Sequence, residues 1–267
     1  MTTSEEAADW PVGLPRSVRS TLLKGGMICT TTRERLADGR DVVVKRCPYP
    51  AEVEAEGLRV LSAAGAPTPR VIADSAHVLV LEFVEGAPDW AGLGRAIALV
   101  HRTTGTRYGW HRNNPAGLFD QHNDWCDDWP TFFVKHRILV HLADPAVPPN
   151  IADRLRRACD GPLPDLLPKH PPASLTHGDL WLGNVVNGRW LVDPAVSYAD
   201  RELDLAFMQG GSLPDELFDA YQQEWPFEDG YSERREALGL HKLLTGLRHF
   251  GPARLPRIEA VLDLYGW

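Results

Sequence analysis

The chain has 267 residues and is acidic, with 28 lysines and arginines against 36 aspartates and glutamates and a formal net charge of −8. This balance argues against a nucleic-acid polymer as the main partner, because binding to a phosphate backbone calls for a basic surface. The apolar runs are far shorter than the ~18 residues of a membrane span, and the acidic N-terminus lacks the regions of a signal peptide, so we expect a cytoplasmic protein without a membrane partner.

The cysteines give no sign of a structural cross-link or of a metal site. Cys29, Cys47, Cys126 and Cys159 are widely spaced and include no C-x-x-C pair. Neither a disulfide framework nor a zinc site is indicated by that spacing. We therefore expect four free thiols, as is usual in a reducing compartment.

The N-terminal part of the sequence has the pattern of a small sheet with one helix. Residues 1–20 are expected to form a tail or cap, and β-branched runs and turn signals follow. The predicted elements, in chain order, are a turn at Asp38-Gly39, a strand over 42–44 that ends at Lys45, a helix over about 51–64, and strands near 70–73 and 77–83. Together they predict a β-rich lobe over residues 1–84.

After residue 84 apolar residues recur mainly at helical spacing. The predicted helices cover 90–101, about 129–142, 151–158 and most of the chain from 202 onward. The segment 161–172 contains five prolines and is expected to be an irregular connection. The chain is therefore predicted to be an α+β protein with two lobes, the second spanning residues 85–267.

One β-hairpin is predicted within the helical lobe, and polar residues frame it. Asn187-Gly188 is the preferred dipeptide of a two-residue type I′ turn, which would pair residue 186 with 189 and residue 184 with 191. In that register Asn184 and Asp193 share one face and lie roughly 7–8 Å apart as diagonal neighbours. A hydrated Mg²⁺ fits between two such side chains, because it takes only one or two protein ligands.

Asp179 precedes Asn184 by the spacing of the protein-kinase motif H-R-D-x-x-x-x-N. In that motif the Asp receives the proton of the substrate hydroxyl and the Asn holds a metal, and Asp193 stands where kinases have their second metal ligand. Aspartates that cap or begin turns are the structural alternative. Three polar residues at this joint spacing favour phosphoryl transfer instead.

Lys45 lies at the strand position of the kinase lysine that contacts the nucleotide phosphates and pairs with a helix glutamate. Glu54 on the next helix is the natural partner, with Glu52 and Glu56 as alternatives. A lysine at a strand end is usually only solvated, and it is the combination with the hairpin that favours a nucleotide site. Gly25-Gly26 is a candidate phosphate-covering turn, although it matches neither G-x-G-x-x-G nor a Walker A loop.

With these residues the sequence resembles the fructosamine kinase (ketosamine kinase) family, a branch of the aminoglycoside-phosphotransferase and choline-kinase group with a protein-kinase-like fold. The runs that carry the resemblance are His177-Gly178-Asp179-Leu180-Trp181-x-Gly183-Asn184, Asp193-Pro194-Ala195 and Arg201-Glu202-x-Asp204-Leu205-Ala206. The Leu-Trp pair of the first run is specific to this family, and the similarity extends over about residues 20–250. Two departures are Cys29 and Thr245, each standing where the family usually has Asn.

The resemblance implies a kinase that uses ATP and Mg²⁺ to phosphorylate a sugar hydroxyl of a ketoamine, which is an amine carrying a rearranged sugar. The phosphorylated adduct then tends to fall apart, so the reaction counts as deglycation repair. The implied base is Asp179, and the implied metal ligands are Asn184 and Asp193. In the nucleotide-binding lobe the implied contacts are Gly25, Gly26, Lys45, Glu54, Glu82 and Val84. Candidate substrate contacts in the catalytic lobe are Trp181, Glu202 and Trp129.

Several alternatives stay open from the sequence. Core packing is the commoner role for aromatic residues at helical spacing such as Trp129. His177 is a rival for the role of the base, although a bracing role is more usual there, and Asp204 is expected to hydrogen-bond the backbone of the catalytic loop. The acceptor could be an aminoglycoside or another hydroxyl metabolite, and a nucleotide-binding pseudokinase is disfavoured because the four kinase positions are all filled. The oligomeric state is left open.

Overall fold

The computed structural model describes residues 10–24 and 28–267, so Gly25 and Gly26 lie outside the described residues. Its N-terminal part is a five-stranded antiparallel sheet with the strand order β1-β2-β3-β5-β4. The strands are β1 (Ser17–Leu22), β2 (Thr30–Leu36), β3 (Asp41–Arg46), β4 (Val71–Asp74) and β5 (Val78–Glu82). The predicted strands are confirmed to within one or two residues, but β1 begins within the predicted tail of residues 1–20, which is therefore shorter than expected.

The alternation of side chains along β3 explains how this sheet is covered. Val42 and Val44 pack into an apolar cluster on one face of the sheet. Val43 and Lys45 point to the other face, which the helix α1 (Ala51–Ala63) covers. Lys45, the last residue but one of its strand, therefore lies beneath a helix rather than in solvent, and its side chain is buried.

The rest of the chain is mainly helical, as predicted. Its helices are α2 (Trp90–Arg102), α3 (Trp129–Phe133), α4 (Pro149–Cys159), α5 (Pro162–Leu166), α6 (Glu202–Gly210), α7 (Asp215–Glu224), α8 (Tyr231–Phe250) and α9 (Leu255–Leu264). The predicted helix over 129–142 begins as α3 and continues as the π-helical turn Val134–Ile138 and the 3₁₀ turn Leu139–His141. Among the described residues, no helix is both long and apolar enough to cross a membrane.

The prediction of an irregular connection over residues 161–172 is wrong at its start. Helix α5 lies there, although it contains two prolines. Pro162 is its first residue, where the missing N–H would have had no partner within the helix. Pro164 falls in the same first turn, so neither proline interrupts an internal hydrogen bond.

Short strands are more numerous in the helical part than predicted. They are β6 (Thr104–Gly105), β7 (Asn114–Ala116), β8 (Phe119–Gln121), β9 (Ala173–Thr176), β10 (Val185–Val186), β11 (Trp190–Leu191) and β12 (Ser197–Ala199). β12, β9 and β6 form a three-stranded sheet, β7 pairs with β8 in one hairpin, and β10 pairs with β11 in the predicted hairpin. The expectation of a single hairpin in this lobe is therefore wrong.

The predicted register of the β10–β11 hairpin is also wrong. Val186 pairs with Trp190, so the loop has three residues rather than two. Asn187 and Gly188 do adopt the positive φ angles that the turn prediction requires, 53° and 62°. The extra loop residue moves the register by one position, so Leu191 pairs with Val185 and not with Asn184. The pairing that would have made Asn184 and Asp193 diagonal neighbours therefore does not form, and the backbone N–H of Val192 donates to the carbonyl oxygen of Asn184 (3.1 Å).

The expectation of four free thiols is wrong for two of the cysteines. Cys29 and Cys47 form a disulfide, whereas Cys126 and Cys159 are free. β2 pairs with β3 so that Thr30 lies opposite Arg46. Cys29 directly precedes Thr30, and Cys47 directly follows Arg46. The antiparallel pairing of the two strands therefore brings the cysteines together.

We predict that protein prepared without a reductant and then unfolded exposes two thiols per chain to a thiol-reactive dye, and four after reduction. Because the disulfide joins positions 18 residues apart in the sequence, its reduction should lower the free energy of unfolding by ~3 kcal/mol. Four reactive thiols before reduction would contradict the pairing.

Candidate active site

A cavity of about 750 Å³ lies between the N-terminal sheet and the helical part. β2, β3 and α1 supply one side of it, and the loops after β9 and β11 together with α8 supply the other. The predicted site residues that line this cavity are Lys45, Glu54, Asp179, Trp181, Asn184 and Asp193. The structure thus brings together residues that are up to 148 positions apart in the sequence.

Lys45 is held by two carboxylates. Its Nζ lies 2.5 Å from Oε1 of Glu54 and also contacts Oδ1 of Asp193. The two alternative partners from the sequence have another ion pair, since Arg112 lies 2.9 Å from Glu52 and 3.4 Å from Glu56. Glu54 is therefore the helix partner of the lysine.

The charges at this point are unbalanced. Burial works against the charged form of Lys45, but Glu54 and Asp193 outweigh it and hold the pKa of the lysine above its ordinary value. Burial raises the pKa of Glu54 to about 7, with Lys45 opposing the shift and Asp193 adding to it. For Asp193 the attraction of Lys45 overcomes burial and lowers the pKa. One ammonium serves two carboxylates, so a second cation beside Asp193 would relieve their mutual repulsion.

The turn that carries Asp193 is held against helix α1. Asp193 has a φ of 57°, an unusual conformation for a residue other than glycine. Gly57 of α1 faces this turn, and a Cβ at that position would come within 2.9 Å of the Pro194 ring. The absence of a side chain at Gly57 therefore lets the turn approach closely enough for Asp193 to reach Lys45.

The loop of Asp179 is held through its backbone. Asp204 of α6 accepts hydrogen bonds from the backbone N–H of His177 (2.6 Å) and of Gly178 (2.9 Å), as predicted for it. His177 is buried, its Nε2 lies 3.0 Å from the carbonyl oxygen of Val192, and its Nδ1 accepts the N–H of Asp179 (3.3 Å). Burial lowers the pKa of His177. With both ring nitrogens in contact with backbone groups, His177 holds the loop of Asp179 in place, which is the role expected for it rather than that of the base.

The Asp179 carboxylate has two polar neighbours. The side-chain nitrogen of Asn184 donates to Oδ2 of Asp179 (2.9 Å) and to its carbonyl oxygen (2.8 Å). The amide oxygen of Asn184 is the atom that these bonds leave available to a ligand. On the other side, Lys242 of α8 contacts Oδ1 of Asp179.

Sequence reasoning missed Lys242. It lies in a long amphipathic helix in which a lysine is ordinarily solvated, and its distance of 63 positions from Asp179 left no local signal. Burial, together with the nearby charge of Arg254, lowers the pKa of Lys242 to about 8. Thr245, one of the two departures noted from the sequence, lines the cavity from the same helix and donates to the carbonyl oxygen of His241 (2.9 Å).

Four of the predicted site residues are not brought to the cavity. Trp129 is fully buried in the apolar core of the helical part, stacked on Phe132. Glu202 is also buried, and both of its carboxylate oxygens accept hydrogen bonds of 2.5 Å from Arg234. Glu82 and Val84 lie at and just after the end of β5 and are absent from the described part of the cavity lining. The expectation of substrate contacts by Trp129 and Glu202 is therefore not supported, because packing and an ion pair already occupy their side chains.

Comparison with known proteins identifies the family of this chain. The family model for fructosamine kinase matches residues 36–265. A probable ketoamine kinase of Enterococcus faecium is 34% identical over 226 residues, which cover 79% of this chain and 81% of that protein. A crystal structure named "putative fructosamine-3-kinase" from Thermobifida fusca has a TM-score of 0.86 at 27% identity and covers 96% of this chain and 95% of that one.

More distant structures show the fold alone. An amicoumacin kinase is 13% identical, with a TM-score of 0.62, and covers 97% of this chain and 92% of that chain. The predicted two-lobe, protein-kinase-like α+β fold is thereby confirmed, whereas the lobe boundary after residue 84 stays a prediction. On the family match and the identity to its relatives, the chain belongs to the fructosamine kinase family and is a phosphotransferase that acts on a hydroxyl group.

Proposed function

We propose that this protein transfers the γ-phosphate of ATP to a sugar hydroxyl of a ketoamine of the fructosamine or ribulosamine type. The observation that carries the proposal is the convergence of Lys45, Asp179, Asn184 and Asp193 on one cavity in a chain of this family. We further propose that the reaction serves deglycation, since the phosphorylated adduct tends to fall apart. A cytoplasmic location remains an expectation from the sequence.

Lys45 is the proposed contact for the nucleotide phosphates. Its ammonium is kept charged by Glu54 and Asp193 and faces the cavity. A fixed positive charge in a partly enclosed site stabilises the charge that develops during phosphoryl transfer. Glu54 positions Lys45 and need not touch the nucleotide. The proposed contacts of Gly25, Gly26, Glu82 and Val84 stay predictions.

The donor set fits Mg²⁺. The carboxylate of Asp193 and the amide oxygen of Asn184 are hard oxygen donors at the same cavity, and Mg²⁺ commonly takes one or two protein ligands and completes its shell with water and phosphate oxygens. When bound, the ion would neutralise phosphate charge. The excess of one carboxylate at Lys45 also favours a bound metal ion, because a cation beside Asp193 would relieve the repulsion between Asp193 and Glu54. The amicoumacin kinase that shares the fold is in complex with AMP-PNP and Ca²⁺.

Asp179 is the proposed base. The transition state of phosphoryl transfer is loose, so the base mainly orients the attacking hydroxyl and receives its proton late. The hydrogen bonds from Asn184 fix Oδ2 of Asp179, and the backbone bonds to Asp204 fix the loop beneath it. The carboxylate is thus positioned before the substrate arrives.

Trp181 is the proposed contact for the sugar. It is half-buried, lines the cavity, and lies two residues after the base. An indole ring offers a flat apolar face with a polar edge, which suits the packing of a sugar ring carrying hydroxyl groups. The other sequence-predicted acceptor residues lie away from the cavity, so this part of the proposal rests on Trp181.

Consumption of ATP over a panel of acceptors tests the proposed function. We expect turnover with a fructosamine and a ribulosamine, and dependence on Mg²⁺. Free amino sugars and aminoglycosides serve as the comparison acceptors. Turnover confined to aminoglycosides would contradict the ketoamine acceptor while leaving the kinase chemistry in place.

The variant Asp179→Asn tests the identity of the base. It keeps the size of the side chain but cannot accept a proton, so we expect the kcat for a ketoamine to fall at least ~10²-fold. ATP affinity, measured by titration calorimetry, should change little because the phosphates lie at Lys45. The matched control is Asp165→Asn, a carboxylate that is exposed on α5, and it should retain wild-type kcat. Near wild-type turnover in Asp179→Asn would mean that another group is the base.

A further inference from the structure

One face of α8 forms a wall of the cavity on the side of Asp179. Arg235, Gly239, Lys242 and Gly246 recur at intervals of three or four residues, and all of them line the cavity. At 1.5 Å per residue this face is ~16 Å long, so it extends well beyond the reacting carboxylate. A Cβ at Gly239 would meet nothing within 4 Å, and the wall is therefore open beside Lys242.

Two further arginines complete this wall. Arg254 ends the 3₁₀ turn Pro252–Arg254, Arg257 lies on α9, and both line the cavity. Arg254 lies across α8 at Gly246, since its Nε would be 3.3 Å from a Cβ at that position. Its charge also contributes to the lowered pKa of Lys242. Lys242 and Arg254 are therefore close enough to act on one ligand.

The positive charges of this wall outnumber the carboxylates that they meet, even though Lys242 contacts Asp179. In the part of the chain that the structure describes, Glu236 is the only acidic residue that α8, α9 and the turn between them contribute to the lining. Arg235 lies 3.2 Å from Glu236, and Arg257 pairs with the same carboxylate. Within the described residues Arg254 has neither an ion pair nor a hydrogen bond, so its guanidinium is available to a ligand.

This local excess of cations contrasts with a chain whose net charge is −8. Like charges gathered at a cavity repel one another, and the cost falls when an anion binds among them. The nucleotide phosphates are proposed to lie at Lys45, which contacts Asp193, whereas Lys242 of the wall contacts Asp179. The anion that this wall fits therefore belongs to the acceptor.

We propose that this wall is an anion subsite for the acceptor, in which Arg254, with Lys242 beside it, binds a carboxylate on the amine part of the ketoamine. The substrate class is then glycated amino acids, or glycated peptides with a nearby carboxylate, in preference to sugars on neutral amines. A guanidinium suits this task because its planar set of N–H groups matches the two oxygens of a carboxylate. The inference rests on the proposed ketoamine kinase function and names the acceptor within it.

Two matched acceptors test the subsite. Fructosyl-glycine carries a carboxylate, and fructosyl-glycinamide has the same shape without the charge. We expect wild-type kcat/KM to be at least about tenfold higher for fructosyl-glycine, the preference expected of a charge-assisted hydrogen bond. In Arg254→Gln this preference should fall about tenfold, mainly through the KM of fructosyl-glycine, and Arg254→Lys should retain part of it.

The matched control is Arg156→Gln. Arg156 is exposed on α4 and pairs with Asp153, so this variant removes the same charge at a residue outside the cavity lining and should keep the wild-type preference. Equal use of both acceptors by the wild type would overturn the subsite and leave the kinase function standing. A rise in the KM of ATP in Arg254→Gln with an unchanged preference would overturn it too, because the arginine would then serve the nucleotide. Turnover of neither acceptor, nor of any other ketoamine, would overturn both proposals.

Discussion

A buried ammonium between two carboxylates joins the two parts of this molecule. Lys45 belongs to the sheet, Glu54 to the helix that covers it, and Asp193 to the turn after the hairpin of the helical part. Burying a charge is costly unless it is paired and hydrogen-bonded, so these side chains are stable in place only together. Their pairing fixes the segments on both sides of the cavity. Burial, with Asp193 adding to it, raises the pKa of Glu54 to about 7. The pairing also leaves one carboxylate in excess, which suits the binding of a further cation at Asp193.

The two sides of the reacting carboxylate differ in how they are built. Below Asp179, backbone hydrogen bonds to Asp204 and the contacts of His177 hold the loop in one position. Facing it, α8 presents charged side chains on an open helix face, with Lys242 in contact and Arg254 beyond it. Phosphoryl transfer depends mainly on positioned groups, which the side held by backbone hydrogen bonds supplies. We infer that acceptor choice resides in the α8 side, where side chains rather than backbone meet the ligand.

Patterns within short stretches of the sequence predicted those parts of the site that are built from residues close together in the chain. Alternation along β3 places Lys45 near α1, because strand and helix are joined by a short connection. The sequence favoured Glu54 as its partner but left Glu52 and Glu56 open, and the ion pairs of the folded chain select Glu54. The Asn187-Gly188 turn was predicted with the right backbone conformation, yet a dipeptide does not determine loop length, and one added residue changed the register. Cys29 and Cys47 looked unrelated by spacing although the β2–β3 pairing aligns them. Lys242 and Arg254 reach the cavity only through the packing of α8 and of the turn that follows it, which no local pattern contains.

Thermal unfolding with ATP, in the presence and absence of Mg²⁺, tests most directly whether Lys45, Glu54 and Asp193 build a nucleotide site. A ligand that binds only the folded state stabilises it by ~2.7 kcal/mol at a hundredfold excess over its Kd. We predict that ATP with Mg²⁺ raises the Tm more than ATP alone, and that Asp193→Asn loses the Mg²⁺-dependent part of the increase. The absence of any shift with ATP, with or without Mg²⁺, would contradict a nucleotide site at this cavity.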